Sequence, residues 1–150
     1  MTVPVTALRR WLVAVALLRC LSVYLGFFNV STFKNNLFDL QPDLVNDLYG
    51  RTFAIWTLTT CVLCLICAKN PCVPAIYGAT LASFVAAFAH FSTEAIFFKT
   101  ISWKSAANPM VVAGISLVWM GAGWNYYTNL ARDPEFTLSE DQEHESNKHD

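Results

Sequence analysis

Three ionisable residues, Arg19, His90 and Glu94, lie within stretches of sequence that are otherwise apolar. Charged groups inside a membrane are costly, so they mark candidate functional sites. His90 and Glu94 are four residues apart and therefore share one face of a helix, where an imidazole and a carboxylate could act as a general acid and base. The same pair could instead be a buried polar clamp between helices. The clamp is the favoured interpretation, because polar side chains commonly link helices in membranes.

Small residues precede this pair on the same helical face. Gly78, Ala82 and Ala86 continue the four-residue spacing of His90 and Glu94. Small residues at this spacing let a second helix approach closely, so we expect this helix to be packed centrally in a bundle. We also hypothesise that Arg19 neutralises Glu94, with His90 as a hydrogen-bonding neighbour.

The cysteine spacing superficially suggests a metal centre. Cys61, Cys64 and Cys67 have the spacing of an iron–sulfur motif, but apolar residues separate them inside an apolar stretch. We interpret them as small packing residues. One histidine and one carboxylate are half of a zinc ligand set at best, and the chain has no nucleotide-binding glycine motif and no histidine box. The sequence therefore predicts no metal and no cofactor.

The composition shows what kind of molecule must position these residues. The 150-residue chain suits a single domain, and it is 55% apolar and 14% charged, against about 25% charged in soluble domains. Seven of the eleven acidic residues lie in 132–150, which leaves 1–131 with too few charges to coat a soluble domain. This composition is typical of a membrane protein. It excludes a disordered protein, a nucleic-acid binder with a basic stripe and most soluble enzymes.

The apolar residues fall into four continuous runs of a length that crosses a bilayer as a helix, about 17–25 residues. We predict an all-α polytopic membrane protein: a bundle of four transmembrane helices in 1–131 and a disordered acidic tail in 132–150. In the first loop, the sequence from Gln41 to Gly50 predicts a short helix on the membrane surface. Asn108 and Pro109 predict the start of the fourth span. The predicted spans are 11–28, 52–68, 74–98 and 109–127.

Five sequence blocks resemble the ergosterol biosynthetic protein 28 family over residues 8–127, in order and in spacing. The most specific blocks are Arg51–Leu58, RTFAIWTL, and the His90-Phe91 pair followed by Glu94. The other three are LRRWL at 8–12, DLVN at 43–46 and PMVV at 109–112.

The resemblance implies a multi-pass protein of the endoplasmic reticulum that acts in sterol biosynthesis without being a catalyst. Members of the family are scaffolds for three C-4 demethylation enzymes: a methyl oxidase, a 3β-hydroxysteroid decarboxylating dehydrogenase and a 3-keto reductase. We expect Arg51 and Trp56, with Arg19, His90 and Glu94, to form the interaction core. Helix contacts through the small residues and the loop 29–51 would tether the enzymes.

Other functions and partners stay open on the sequence alone. The main alternative is a small membrane enzyme of the sterol isomerase type that uses Glu94 and His90 as acid and base. A channel or carrier subunit is less favoured, because four short helices form no obvious pore. Contact with membrane lipid is expected, whereas sterol binding and self-association are left open. Basic residues are balanced on the two sides of the membrane, and cytosolic termini are preferred because the acidic tail then need not cross it.

Overall fold

The computed structural model describes residues 3–130, in which helices are joined by short connections. Four of the helices are long and apolar enough to cross a membrane, so the predicted all-α class is confirmed. The acidic tail at 132–150 lies outside the described residues. The helices are α1 (Val3–Phe28), α2 (Val30–Leu37), α3 (Asp47–Lys69), α4 (Pro74–Thr93), α5 (Trp103–Ala122) and α6 (Trp124–Leu130).

Successive long helices run in opposite directions, which gives the bundle two distinct ends. At one end, α2, a short 3-10 turn (Pro42–Leu44) and the connection 99–102 cover the helices. We call this the capped end. At the other end, the start of α1 meets the end of α3 and α6, where Arg9 Nη2 donates a hydrogen bond to the Lys69 carbonyl at 3.3 Å and Tyr127 donates one to the Pro4 carbonyl at 3.1 Å. We call this the terminal end.

The most buried of the four long helices is α3. In its most apolar 18-residue window 44% of the residues are buried, against 17% for α4. The prediction that α4 is packed centrally is therefore wrong. The buried positions of α3 recur every three or four residues, the repeat of one helix face. They are Gly50, Phe53, Ala54, Thr57, Thr60, Cys61, Cys64, Cys67 and Ala68. The three cysteines thus lie in the core of the bundle.

Glycines bring α1 and α3 into close contact. A Cβ atom added to Gly26 would lie 2.7 Å from the Gly50 carbonyl oxygen and 2.9 Å from Ala54 Cβ. A Cβ atom added to Gly50 would lie 2.8 Å from a methyl group of Val30. Neither position has space for a side chain, because the nearest atoms include rigid backbone. The two glycines therefore permit the closest approach of α1 to α3.

The start of the fourth long helix differs from the prediction. Ser102 is the N-cap of α5, and its Oγ accepts a hydrogen bond from Ser105 N at 3.3 Å. Pro109 therefore lies inside α5, where it cannot donate the usual hydrogen bond to the Ser105 carbonyl. The helix also ends at Ala122 rather than at 127, and Gly123 separates it from α6. Proline is common at helix starts but does not require one, and the helix here starts after the serine seven residues before Pro109.

The first loop contains its short helix, but earlier than predicted. Asn29 caps α2, with its side-chain oxygen accepting a hydrogen bond from Thr32 N at 3.1 Å. Asn46 caps α3 in the same way through Tyr49 N at 2.8 Å. Because Asn46 starts α3 there, residues 47–50 belong to a long helix, and Pro42 starts only one 3-10 turn.

Candidate functional site

A cavity of about 380 Å³ lies in the half of the bundle nearest the capped end. Helices α1, α3, α4 and α5 form its walls, and α2 lies across its capped end. On the α1 wall, Leu18 and Leu21 are 51% and 63% exposed, so the cavity is open sideways toward lipid. All four membrane-crossing helices thus contribute side chains to its lining.

Polar contacts explain where the cavity forms between α1 and α5. Toward the terminal end, Trp11 Nε1 donates a hydrogen bond to Ser116 Oγ at 3.0 Å, and the Trp11 ring lies 6.2 Å from that of Trp119. These contacts hold the two helices together in that half. In the other half, Ser105, Asn108 and Pro109 of α5 face the cavity.

Arg19 lines the deep part of this cavity, in the middle of α1. Its Nη1 lies 3.8 Å from Cys64 Sγ, and its guanidinium carbon lies 4.7 Å from the centre of the Phe84 ring. A thiol is a weak acceptor, and an aromatic face attracts a cation only modestly. Within the described part of the chain, no residue lining the cavity is acidic. Arg19 thus has two weak partners in the bundle.

The predicted pairing of Arg19 with Glu94 is wrong. Arg19 lies nine residues before the end of α1, about 13 Å along the helix axis, whereas Glu94 is at the capped end of α4. The two side chains therefore lie at different depths. The relative depth of the two residues could not be predicted, because the position of each helix end depends on its caps.

Glu94 instead fastens the connection between α4 and α5. Its Oε2 accepts a hydrogen bond from Thr100 Oγ1 at 2.5 Å, and its carbonyl accepts one from Thr100 N at 3.1 Å. The Thr100 carbonyl in turn accepts a hydrogen bond from Leu40 N at 3.2 Å. Glu94 also begins a single π-helical turn, Glu94–Phe98, that ends at Lys99 with a left-handed backbone (φ 52°). One carboxylate thus links α4, the turn and the first loop.

Asp39 makes a second link between the first loop and α5. Its Oδ1 accepts a hydrogen bond from Ser102 N at 2.8 Å. Partial loss of hydration acts to raise the pKa of Asp39, but the hydrogen bonds from the Ser102 hydroxyl and N–H lower it below its ordinary value. The ionised carboxylate is therefore the form that holds the loop against the start of α5.

His90 lies beside Glu94 but outside the cavity. Its Nδ1 is 4.0 Å from Glu94 Oε1, too long for a hydrogen bond, and its Nε2 is buried with no hydrogen-bond partner in residues 3–130. The ring meets that of Trp56 edge-on at 5.4 Å and that of Phe53 at 6.2 Å. Phe53 and Trp56 also line the cavity, so they form a wall between it and His90.

The remaining predicted residues fall on different parts of the surface. Arg51 is exposed at the start of α3. Gly78 lies under Trp124, whose ring would be 3.3 Å from an added Cβ. Ala82 and Ala86 are exposed, so they do not pack within the bundle. The buried face of α4 instead consists of Tyr77, Thr80, Phe84, Ala87 and Phe91.

Sequence reasoning missed the polar residues that line the cavity. Thr57 and Thr60 lie on the buried face of α3, and Ser22 lies one turn from Arg19 on α1. Their signal was present, since hydroxyl residues recur within otherwise apolar spans. Which face of each helix carries them was not visible in the sequence. In the described residues, no group of three or more His, Cys, Asp or Glu side chains could hold a metal ion.

Comparison with known proteins gives a consistent result. A family model described as "Erg28 like protein" matches residues 8–118. The chain is 40% identical over 119 residues to "Ergosterol biosynthetic protein 28" of Arabidopsis thaliana, a match covering 79% of this chain and 91% of the relative. A homologue of that name in Mus musculus is 33% identical (79% and 86% covered), and the Saccharomyces cerevisiae protein is 28% identical (85% and 87% covered). No solved structure matches.

Proposed function

Because this chain belongs to the Erg28-like family of ergosterol biosynthetic proteins, we propose that it is a non-catalytic scaffold for sterol C-4 demethylation. Its partners are the methyl oxidase, the 3β-hydroxysteroid decarboxylating dehydrogenase and the 3-keto reductase of that process. The scaffold brings them together in the membrane, so that each product is formed close to the enzyme that uses it.

An exposed row of alanines on α4 carries this proposal. Five alanines spaced four and three residues apart lie along one face of the helix, and all of them are exposed. This spacing is that of a helix-packing seam, and small residues let a second transmembrane helix come close. The bundle itself leaves this face uncovered, which suits contact with a helix of another protein. We call it the alanine seam: Ala75, Ala79, Ala82, Ala86 and Ala89.

The first loop offers a second contact surface at the capped end. Leu40, Leu44 and Leu48 are 55%, 66% and 66% exposed, and each follows an aspartate. They lie in the segment before α3 and in its first turn, and a large exposed apolar patch marks a contact site for a protein or a membrane. Asp39 accepts a hydrogen bond from Ser102 N, and Leu40 N donates one to the Thr100 carbonyl. These two bonds hold this segment against the start of α5.

The position of Glu94 favours the scaffold over the acid–base isomerase. Its carboxylate is bound to Thr100, and the wall of Phe53 and Trp56 separates His90 from the cavity where a lipid could enter. A general acid or base must reach the proton that it transfers. Glu94 is better placed to hold the capped end together than to reach a substrate, and neither residue lines the cavity.

We place the scaffold in the endoplasmic reticulum membrane with both termini in the cytosol. Four crossings put the two termini on the same side, and the acidic tail then stays on the side where it is made. Protease added to intact microsomes should remove a tag fused to the C-terminus. A tag that is cut only after the microsomes are opened would contradict this orientation.

Co-purification tests the scaffold directly. The wild-type chain, solubilised in mild detergent, should retain the three enzymes, whereas the double variant Ala82→Leu, Ala86→Leu should lose at least one of them. The bulky leucines prevent close approach of a partner helix but stay in contact with lipid in the free chain. Ala107→Leu, at an exposed alanine of α5, is the matched control and should behave as wild type. Equal recovery of all three enzymes with the seam variant would contradict a role for the seam.

A further inference from the structure

The cavity between α1 and α5 presents a cation that the bundle neutralises poorly. We propose that it binds one sterol-sized lipid carrying a carboxylate, with the carboxylate against Arg19. The need for an anion rests on Arg19 and its surroundings, whereas the sterol class rests on the proposed function. The ligand enters from the membrane past Leu18 and Leu21, where the wall is open.

The contacts of Arg19 leave most of its hydrogen-bonding capacity unused within the described structure. A guanidinium has five N–H donors and stays ionised in proteins. Here one nitrogen contacts Cys64 Sγ at 3.8 Å, and the plane lies over Phe84. Cations inside membranes normally pair with an anion or line a pathway for one. A carboxylate can accept two parallel hydrogen bonds from a guanidinium, which is the strongest geometry available to that group.

The rest of the cavity suits a rigid apolar body. Its volume of about 380 Å³ falls within the range usual for small-molecule sites, about 300–1,000 Å³. Aromatic side chains from three helices line one side: Phe33, Phe53, Trp56 and Phe91. Hydroxyl groups of Ser22, Thr57 and Thr60 add polar points near Arg19. A molecule with a broad apolar surface and one charged end matches this distribution.

The proposed function supplies a ligand with this chemistry. A decarboxylating dehydrogenase must receive a carboxylic acid, and the preceding oxidase makes that acid from a methyl group. The intermediate that passes between these two enzymes is therefore a sterol carboxylate. A scaffold that holds it near both enzymes would limit its escape into the membrane.

Binding to the isolated, full-length chain in detergent tests the proposal. The probes are a tritiated 4-carboxysterol and the sterol with a 4-hydroxymethyl group in place of the acid. We expect the acid to bind about tenfold to a hundredfold more tightly, the range expected for a hydrogen bond to a charged group. Arg19→Gln should abolish that preference and Arg19→Lys should keep part of it. Arg10→Gln, an exposed arginine outside the cavity, should bind as wild type.

A variant that fills the cavity makes the test independent of Arg19. Val112 lines the cavity on α5, and Val112→Phe should weaken binding of both probes while leaving all charges in place. Equal binding of acid and alcohol by the wild type, or unchanged preference in folded Arg19→Gln, would overturn the proposal. If Arg19→Gln does not fold, unchanged binding by Val112→Phe would overturn it. No partner enzyme is present in this assay, so its outcome is separate from that of the co-purification.

Discussion

Glu94 anchors the connection between α4 and α5 at the capped end. Its carboxylate and its carbonyl both accept hydrogen bonds from Thr100, and Thr100 is bonded to the first loop. This arrangement needs an acceptor at position 94 and does not need a titrating proton. If Glu94 only links the helices, Glu94→Gln should be tolerated. If Glu94 transfers a proton, Glu94→Gln should lose activity.

Substitution of Glu94 separates these two roles. Glu94→Ala removes the carboxylate that accepts the hydrogen bond from Thr100 Oγ1, but it keeps the backbone carbonyl. It should lower the free energy of unfolding by about 1.5–3 kcal/mol, the usual value for a hydrogen bond to a charged group. Glu94→Gln keeps an oxygen that can accept the hydrogen bond from Thr100. Its free energy of unfolding should therefore fall by less than about 1 kcal/mol, and cells carrying this variant should complete sterol C-4 demethylation normally. Denaturation in detergent measures stability, with Asp43→Ala as an exposed control. Loss of function in a stably folded Glu94→Gln chain would favour the acid–base role.

Arg19 shows why site prediction from this sequence succeeds only in part. Its apolar surroundings identify it as an intramembrane charge, and the structure places it beside a cavity. Its partner could not be predicted, because the sequence does not give the relative depth of α1 and α4. The cavity forms where particular faces of five helices meet, and which faces meet cannot be predicted from one sequence.

The close contact of α1 with α3 depends on two glycines, Gly26 and Gly50. The added atoms at Gly26 and Gly50 would lie within 2.9 Å of their nearest neighbours, whereas nothing lies within 4 Å of a Cβ at Gly121. Gly121 is therefore a suitable control for substitutions at Gly26 and Gly50.

Gly26→Ala and Gly50→Ala should each destabilise the chain by about 1–3 kcal/mol, the usual cost of overpacking. Gly121→Ala should be neutral or stabilise by up to about 1 kcal/mol, since alanine favours helix. Thermal unfolding followed by circular dichroism in detergent measures the differences. The same small effect for all three variants would contradict the close approach of α1 and α3.

The elements differ in how far the sequence determines them. Bilayer thickness fixes the length of an apolar run, so the four long helices were predictable from composition along the chain. The ends of the helices depend on their capping residues. Ser102 starts α5 before Pro109, and Asn46 starts α3 after Pro42, so neither proline marks the start of a long helix. The family could be identified from the sequence because it depends on short blocks of residues at fixed spacing and not on helix ends. The family model matches residues 8–118.

The four long helices together leave three separate surfaces available for contacts. The alanine seam is exposed along α4, the exposed leucines Leu40, Leu44 and Leu48 lie at the capped end, and the Arg19 cavity opens beside α1. These surfaces are separate, so one chain can contact partners and a lipid at the same time. This is the arrangement expected of a protein that organises enzymes in a membrane.

A coupling role and a catalytic role for the chain predict different behaviour of the individual C-4 demethylation steps. Membranes from cells with and without the chain can be compared for each C-4 demethylation step alone and for the complete conversion. For a coupling role, we expect each enzyme to keep its activity in membranes lacking the chain, while the complete conversion slows and C-4 intermediates accumulate. Loss of one individual step, restored by the purified chain acting alone on a sterol, would show that the chain is itself a catalyst.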